Sequence, residues 1–381
     1  MLTLRTHQAI AEIEAADWDA LVADDNPFTR HAFLAGLEQT GCIRAAFGWR
    51  AQHLTLHDGT ALVGALPLYI KANSHGEFVF DWAWADAWER AGHDYYPKFL
   101  CAVPYSPVTG PRLLVGAGSE AAARRATLAS ALRELTDRTG LSSAHVDFLR
   151  DADTATFDDP WLPRSDWQFQ WHNPGDWRDF KDYLDALTHK RRTAVRHERA
   201  AVAAAGVGCE FRAGGTLSDD EWRTVHHLYT HTFDDKGNTP TLTLDFFRYL
   251  GTAFPQHSHV ALARRAGRII AAALLLSSST TLYGRYWGAL EPVADLHFEL
   301  CYYQGIAYCL QHGLQRFEPG AQGIHKLARG FLPTRTYSRH YIADPGFRSA
   351  VRAALEREAI AQAAHGRELA AHSPFAERAA T

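Results

Sequence analysis

Apolar residues at Leu296, Leu300, Tyr303, Ala307 and Leu310 recur at intervals of four, three, four and three, the spacing of one buried helical stripe. Asp295 is placed to cap this helix, and Gly313 stands where a glycine stops one near His312. On either side the pattern changes to short aromatic and apolar runs at 282–288 and 315–319, which predict strands. Residues 282–331 therefore read as strand, loop, helix, strand and polar loop.

The same rules order the rest of the chain. A strand and a short helix near 17–23 open it, followed by a helix over 28–40 with Phe33, Leu34 and Leu37 on one face. Strands at 51–56 and 60–69 flank the turn Asp58-Gly59. Pro67 inside the second strand predicts a bulge or a broken edge. Residues 119–139 form an alanine-rich amphipathic helix stopped by Gly140, and 144–149 a strand. After an acid- and proline-rich loop at 151–163 come a strand at 167–171 and a helix start at 177–187. A basic helical run, a strand at 210–213 and helices at 219–236 and 244–254 follow. A hairpin at 260–264 and 268–277 turns at Ala266-Gly267. A strand at 336–342 and a long helix at 345–372 close the chain.

Composition narrows the class. At 381 residues the chain suits two domains, with a boundary near residue 160. A content of 46% hydrophobic and 12% aromatic residues supports sizeable cores. The net charge of −4 offers no global field for nucleic acid, and no DNA partner is expected. The five cysteines form no CxxC pair and are odd in number, against a disulfide framework or a zinc ribbon. His226, His227 and His231 lack an accompanying HExxH glutamate, so no metal is expected there. With no signal peptide and no membrane-length apolar run, the expected location is the cytoplasm.

Costly polar groups gather in two stretches. Arg285, His297, Glu299, Tyr302, Gln304, Glu318, Gln322, His325 and Lys326 crowd the β-α-β stretch. Charge inside an apolar unit is expensive unless it is paired or used, so this pattern marks a candidate site. In 71–114, Glu77, Asp81, Asp86, Glu89, Arg90 and Lys98 stand among Trp82, Trp84, Trp88, Tyr95 and Tyr96. Aromatic walls with a few convergent charges suit a small-molecule cleft. Arg192, Arg196 and Arg199 share a helix face near Lys190. Such a cluster is either a solvated basic face or a bidentate phosphate cradle.

The motifs LYGRYWG, LHFELCYYQGIAYC and FEPGAQGIHKLARGF, with GEFVFD, WADAWER and YYPK in the first half, resemble the FemAB-like peptidoglycan biosynthesis/recognition family. That family is a branch of the GNAT acyltransferase superfamily. The resemblance implies an α/β (α+β) fold of two tandem GNAT-like domains, each a mixed, mostly antiparallel sheet flanked by helices. The expected divisions are 1–160, then 161–345 carrying the main polar site, then 346–381 as a helix and mobile tail. It implies transfer of an acyl or aminoacyl group to the amine of a small molecule or peptide. The Lys-x-Arg-x-x-x-Arg pattern of Fem-type enzymes falls on Lys190, Arg192 and Arg196 and implies a phosphate-bearing substrate there. The usual GNAT pyrophosphate loop is missing from 288–295, which argues against CoA held in the usual manner. Acyl-CoA and charged tRNA both stay open as donors.

Acyl transfer needs a base for the amine and donors for the oxyanion. Glu318, at the end of a strand and beside Gly320, is the candidate base, with His325 as the alternative. Arg285, Tyr286, Tyr303 and Lys326 are candidate oxyanion or anion donors, with His297, Glu299 and Gln322 beside them. Asp81, Asp86, Tyr95, Tyr96 and Lys98 are the first-half binding candidates. Two other classes are carried: a non-catalytic cell-wall or peptide recognition module, and a metal-dependent hydrolase using His297, Glu299, Glu318 and His325. Residues two apart on a helix diverge, which opposes joint ligation by His297 and Glu299.

Overall fold

Pro67 is where the apolar run of the first half changes sheet. The computed structural model describes residues 1–321 and 323–376. In chain order its elements begin with β1 (Leu2–His7), α1 (Ala15–Leu21), α2 (His31–Gln39), β2 (Trp49–Ala51) and β3 (His53–Asp58). Then come β4 (Ala61–Leu66), β5 (Leu68–Lys71), α3 (Trp82–Arg90), β6 (Lys98–Cys101), α4 (Ala121–Thr139), β7 (Ser143–Leu149) and β8 (Leu162–His172). The second half adds α5 (Phe180–Ala186), α6 (His189–Ala204), β9 (Gly208–Ala213), α7 (Asp219–Asp235), α8 (Leu244–Ala253), β10 (Ser258–Arg265) and β11 (Arg268–Ser277). It continues with β12 (Thr281–Ala289), α9 (Leu296–Phe298), α10 (Gln304–His312) and β13 (Arg316–Glu318). β14 (Leu332–Ile342) and α11 (Pro345–Ala370) complete it.

The strand expected at 60–69 is two strands. Proline has no N–H for a ladder, and the break at Pro67 sends β4 to one sheet and β5 to another. β4 pairs with β3, and β3 with β1. β5 pairs with β2 and β6.

Two compact units result: Met1–Trp167 with Arg335–His365, and Gln168–Thr334 with Gly366–Thr381. Where the sequence reading keeps 161–345 together, β14 carries the chain back into the first unit after Thr334. In that unit β6 and β7 are parallel, and β14 adds antiparallel to β7 through Tyr337–Ile342. Its core includes Leu54, Leu68, Phe99, Leu128, Leu132 and Val146, so α4 is a scaffold helix as expected. Phe375 lies in the segment expected to be mobile, yet it is half-buried and bridges Leu187, and Pro374 beside it is buried.

In the second unit the sheet runs β8-β13-β12-β11-β10-β9. Only β12 and β13 are parallel within it. α7 packs against β12 and β11. The first unit thus has an antiparallel three-stranded sheet beside a mixed one, and the second a single mixed, mostly antiparallel sheet, each flanked by helices on the tandem GNAT-like plan. Among the described residues no helix is long and apolar enough to cross a membrane.

Gly288 sets the distance between α7 and β12. A Cβ there would lie deep inside contact distance of the Leu228 backbone carbonyl. Backbone cannot rotate away as a side chain can, so Gly288→Ala should destabilise by about 1–3 kcal/mol. A thermal melt reads this directly; an unchanged midpoint would refute the close approach.

The stripe of the helix predicted between Asp295 and His312 also differs from expectation. Asp295 adopts φ 62° and gives no side-chain cap. The helix starts as α9, widens into a π turn over Glu299–Tyr303 and returns to α as α10. The wide turn moves the later stripe to Ile306, Cys309 and Leu310, leaving Ala307 half-buried. Gly313 takes φ 68° at the C-cap, as its position predicts.

Candidate functional site

The β12–β13 ladder covers three pairs, Thr281↔Arg316, Leu282↔Phe317 and Tyr283↔Glu318. Beyond Tyr283, β12 runs on along β11, with a bulge opposite Leu274/Leu275 at Arg285. A cavity of about 290 Å³ opens where the two strands part. Gly284, Arg285, Tyr286 and Trp287 line it from β12, and Pro319, Gly320 and Ala321 from the chain after β13. An edge strand presents backbone N–H and C=O groups sideways, so this face of β12 offers hydrogen bonds to whatever fills the gap.

The π turn sorts the polar side chains of the helix between two surfaces, as such turns often do at functional sites. His297, Cys301 and Tyr302 line the cavity. Glu299 and Tyr303 face α6 instead. Glu299 accepts from Arg199 through both oxygens, at 3.0 and 3.1 Å, and from Gln304 at 2.7 Å. Tyr303 donates to Glu198, which Arg329 also binds at 2.7 and 3.1 Å. The expected grouping of His297 with Glu299 is therefore corrected. Among the described residues no three His, Cys, Asp or Glu side chains are placed to share a metal ion.

His325 and Lys326 close the cavity from the loop after β13. Tyr302 Oη and His325 Nε2 are 2.8 Å apart, and the rings of His297 and His325 5.9 Å. Burial, then the nearby cations Arg329 and Lys326, holds His325 below the usual imidazole range. Burial, then His325 and Lys326, lowers His297 to about 4. Lys326 is 3% exposed and donates to the Gly320 carbonyl at 2.6 Å. Burial pushes its ammonium down to about 8. Arg285 and Tyr286 share the cavity wall; Glu318 is buried at the end of β13, outside the lining. Gln322 lies outside the described residues. Lys236, at the end of α7, also lines the cavity. Its sequence signal was weak: a lone cation some fifty residues before β12.

The basic face of α6 is divided. Arg192 reaches Asp185 at 3.3 Å and Arg199 is held by Glu299. Lys190 and Arg196 are exposed, and Arg196 borders a second groove of about 460 Å³ with Phe180, Val195 and Cys209.

In the first unit, Lys98 Nζ lies 2.6 Å from Asp81, 2.8 Å from Glu77 and 3.0 Å from Ser74. Tyr95 donates to Asp81 at 2.6 Å, and Tyr96 Oη meets Ser74 Oγ at 2.7 Å. Lys98, Asp81 and Glu77 are 1–2% exposed. The sequence-predicted residues do converge, as an interior network closed to solvent rather than an open cleft. Asp86 stands apart, exposed and paired with Arg90 at 3.1 Å.

Comparisons with known proteins agree with this architecture. FemX matches with a TM-score of 0.53 at 11% identity, over 91% of this chain and 100% of that chain. L-PGS from Bacillus licheniformis matches with a TM-score of 0.51 at 10% identity, over 87% and 97%. A conserved protein of unknown function from Bacteroides thetaiotaomicron matches with a TM-score of 0.50 at 10% identity, over 89% and 99%. At such identities these likenesses show the fold alone. No curated protein matches the chain. The FemAB-like model of peptidoglycan biosynthesis/recognition matches residues 9–377, and the chain belongs to that family.

Proposed function

We propose that the chain is an N-acyltransferase that moves an acyl or aminoacyl group from a phosphate-bearing donor to an amine at the β12–β13 cavity. The observation that carries this reading is the parting of β12 from β13 around a cavity lined by strand-edge backbone, neutral histidines and a buried lysine. Membership of a peptidoglycan biosynthesis/recognition family supports it.

In this reading the donor's carbonyl lies against the β12 edge. The amine nitrogen attacks it; the new C–N bond forms and the C–O or C–S bond of the donor breaks. Arg285, Tyr286 and Lys326 stabilise the tetrahedral oxyanion. His325, unprotonated at neutral pH and in contact with Tyr302, takes the proton the amine loses and returns it to the leaving group. Glu318 supports the site from behind, through its attraction for Arg285.

The test is product formation. Purified chain is mixed with a lysine-containing peptide and, separately, acyl-CoAs or a charged-tRNA pool, and the peptide's mass is followed. A mass gain with one donor, lost in His325→Ala, supports the reading and names the donor. Peptide binding without a mass gain from any donor would replace it with the recognition-module reading.

A further inference from the structure

The wall of the β12–β13 cavity holds three cations, Lys236, Arg285 and Lys326, and among the described residues it holds no aspartate or glutamate. Glu318 bears on Arg285 from outside the lining. That leaves two lysines. Lys236 sits at the C-terminal end of α7, and among the described residues it forms no ion pair. Lys326 donates to a neutral carbonyl, and among the described residues it too forms no ion pair. A buried ammonium held only by a carbonyl is under-compensated. The cavity, about 290 Å³, is at the small end of ligand pockets. It has room for an amino-acid-sized group, not for a whole nucleotide-bearing donor.

We propose that this cavity is an oxyanion-binding site in which Lys236 and Lys326 receive a carboxylate or phosphate that the substrate carries close to its reacting group. The anion site itself stands on the charge of the wall; only its closeness to a reacting group rests on the transferase reading. It has a chemical consequence. A cationic wall disfavours the ammonium form of an incoming amine, so the amine is held neutral without a carboxylate base. An acceptor whose amine lies near its own carboxylate brings the compensating charge with it, whereas a simple alkylamine does not.

Two half-buried cysteines make occupancy readable without turnover. Cys301 lines this cavity and Cys209 lines the separate groove beside α6. Burial pushes both thiols up and slows them, so the full chain is incubated with a small methanethiosulfonate until both are modified without ligand. The time course is repeated with alanylalanine, alanylalaninamide or methyl phosphate, and each cysteine is followed by peptide mass spectrometry. Near-saturating alanylalanine should slow Cys301 about tenfold, in proportion to occupancy, and leave Cys209 unchanged. The amide should give no protection at the same concentration. Lys326→Met should abolish the protection, and Lys236→Ala, at an exposed position, provides a second variant should the first fail to fold. Protection by methyl phosphate alone would assign the anion to a donor phosphate; protection by alanylalanine would assign it to the acceptor. Equal protection by acid and amide, or none by either anion, would overturn the proposal. Loss of transfer with protection intact would remove only the transferase reading.

Discussion

Lys98→Met should lower the melting midpoint of the chain by about 6–20 °C. Lys98 sits between Asp81 and Glu77 in an interior where all three are 1–2% exposed. Burial alone would raise Asp81, yet Lys98 and then His145 hold it below the usual carboxylate range. Burial pushes Glu77 up even against Lys98. The ion pair proper is therefore Lys98 with Asp81. Deleting one member of a buried pair leaves an uncompensated charge and costs about 3–5 kcal/mol. At about 2–4 °C per kcal/mol for a unit of this size, the stated range follows. Adding Asp81→Asn should restore part of the loss, because it removes the stranded charge; the double-mutant cycle measures that coupling. A midpoint within about 2 °C of the parent in Lys98→Met would mean the network is solvated in solution.

The pH dependence has a definite sign. Asp81, held low in the fold, contributes stability that is present above its unfolded pKa and lost as pH falls through its folded value. Lys98, held high, contributes below its unfolded pKa and loses that only as pH rises through its folded value. The pair therefore acts fully across neutral pH and fails first in acid.

What the chain reveals without coordinates follows from how far apart the partners are. Local periodicity located β12, the β10–β11 hairpin, α4 and α11, since each depends on neighbours in sequence. The break at Pro67 was also legible, because one missing N–H decides it. The π turn was not. One extra residue in a wide turn leaves an apolar pattern that an α-helix fits equally well until Ala307 and Ile306 exchange places. The pairings of Arg199 with Glu299 and Glu198 with Tyr303 join residues about a hundred apart, and nothing local predicts them. They turned two candidate binding residues, Glu299 and Tyr303, into anchors of α6. The same distance hid Lys236. The return of β14 to the first unit was hidden for a related reason: a strand's sequence records its pleat, not the sheet it joins.

Lys326→Met should raise stability at neutral pH while removing activity. Burial is the main reason the Lys326 ammonium drops to about 8 from 10.5. The folded chain thus holds this proton less well than the unfolded one. A depressed pKa gives stability that is full above the unfolded value and lost as pH falls through the folded one. At pH 7 the loss is complete and on the order of 3 kcal/mol. Methionine keeps most of the apolar stem and carries no charge, so the melting midpoint should rise at pH 7. The gain should shrink as pH rises from about 8 towards 10.5 and be gone only above that, where the wild-type lysine is neutral in both states. Activity moves the other way. Removing one preformed oxyanion donor lowers kcat by about 10²–10³-fold. In the wild type, the part of the rate that depends on the Lys326 cation should fall as pH rises through about 8. A lysine kept for the fold would show the reverse at pH 7, a lower midpoint with kcat unchanged, and would move oxyanion stabilisation onto Arg285, Tyr286 and the β12 backbone. A strained charge retained at a cavity wall is what a functional site requires of a fold that would be more stable without it.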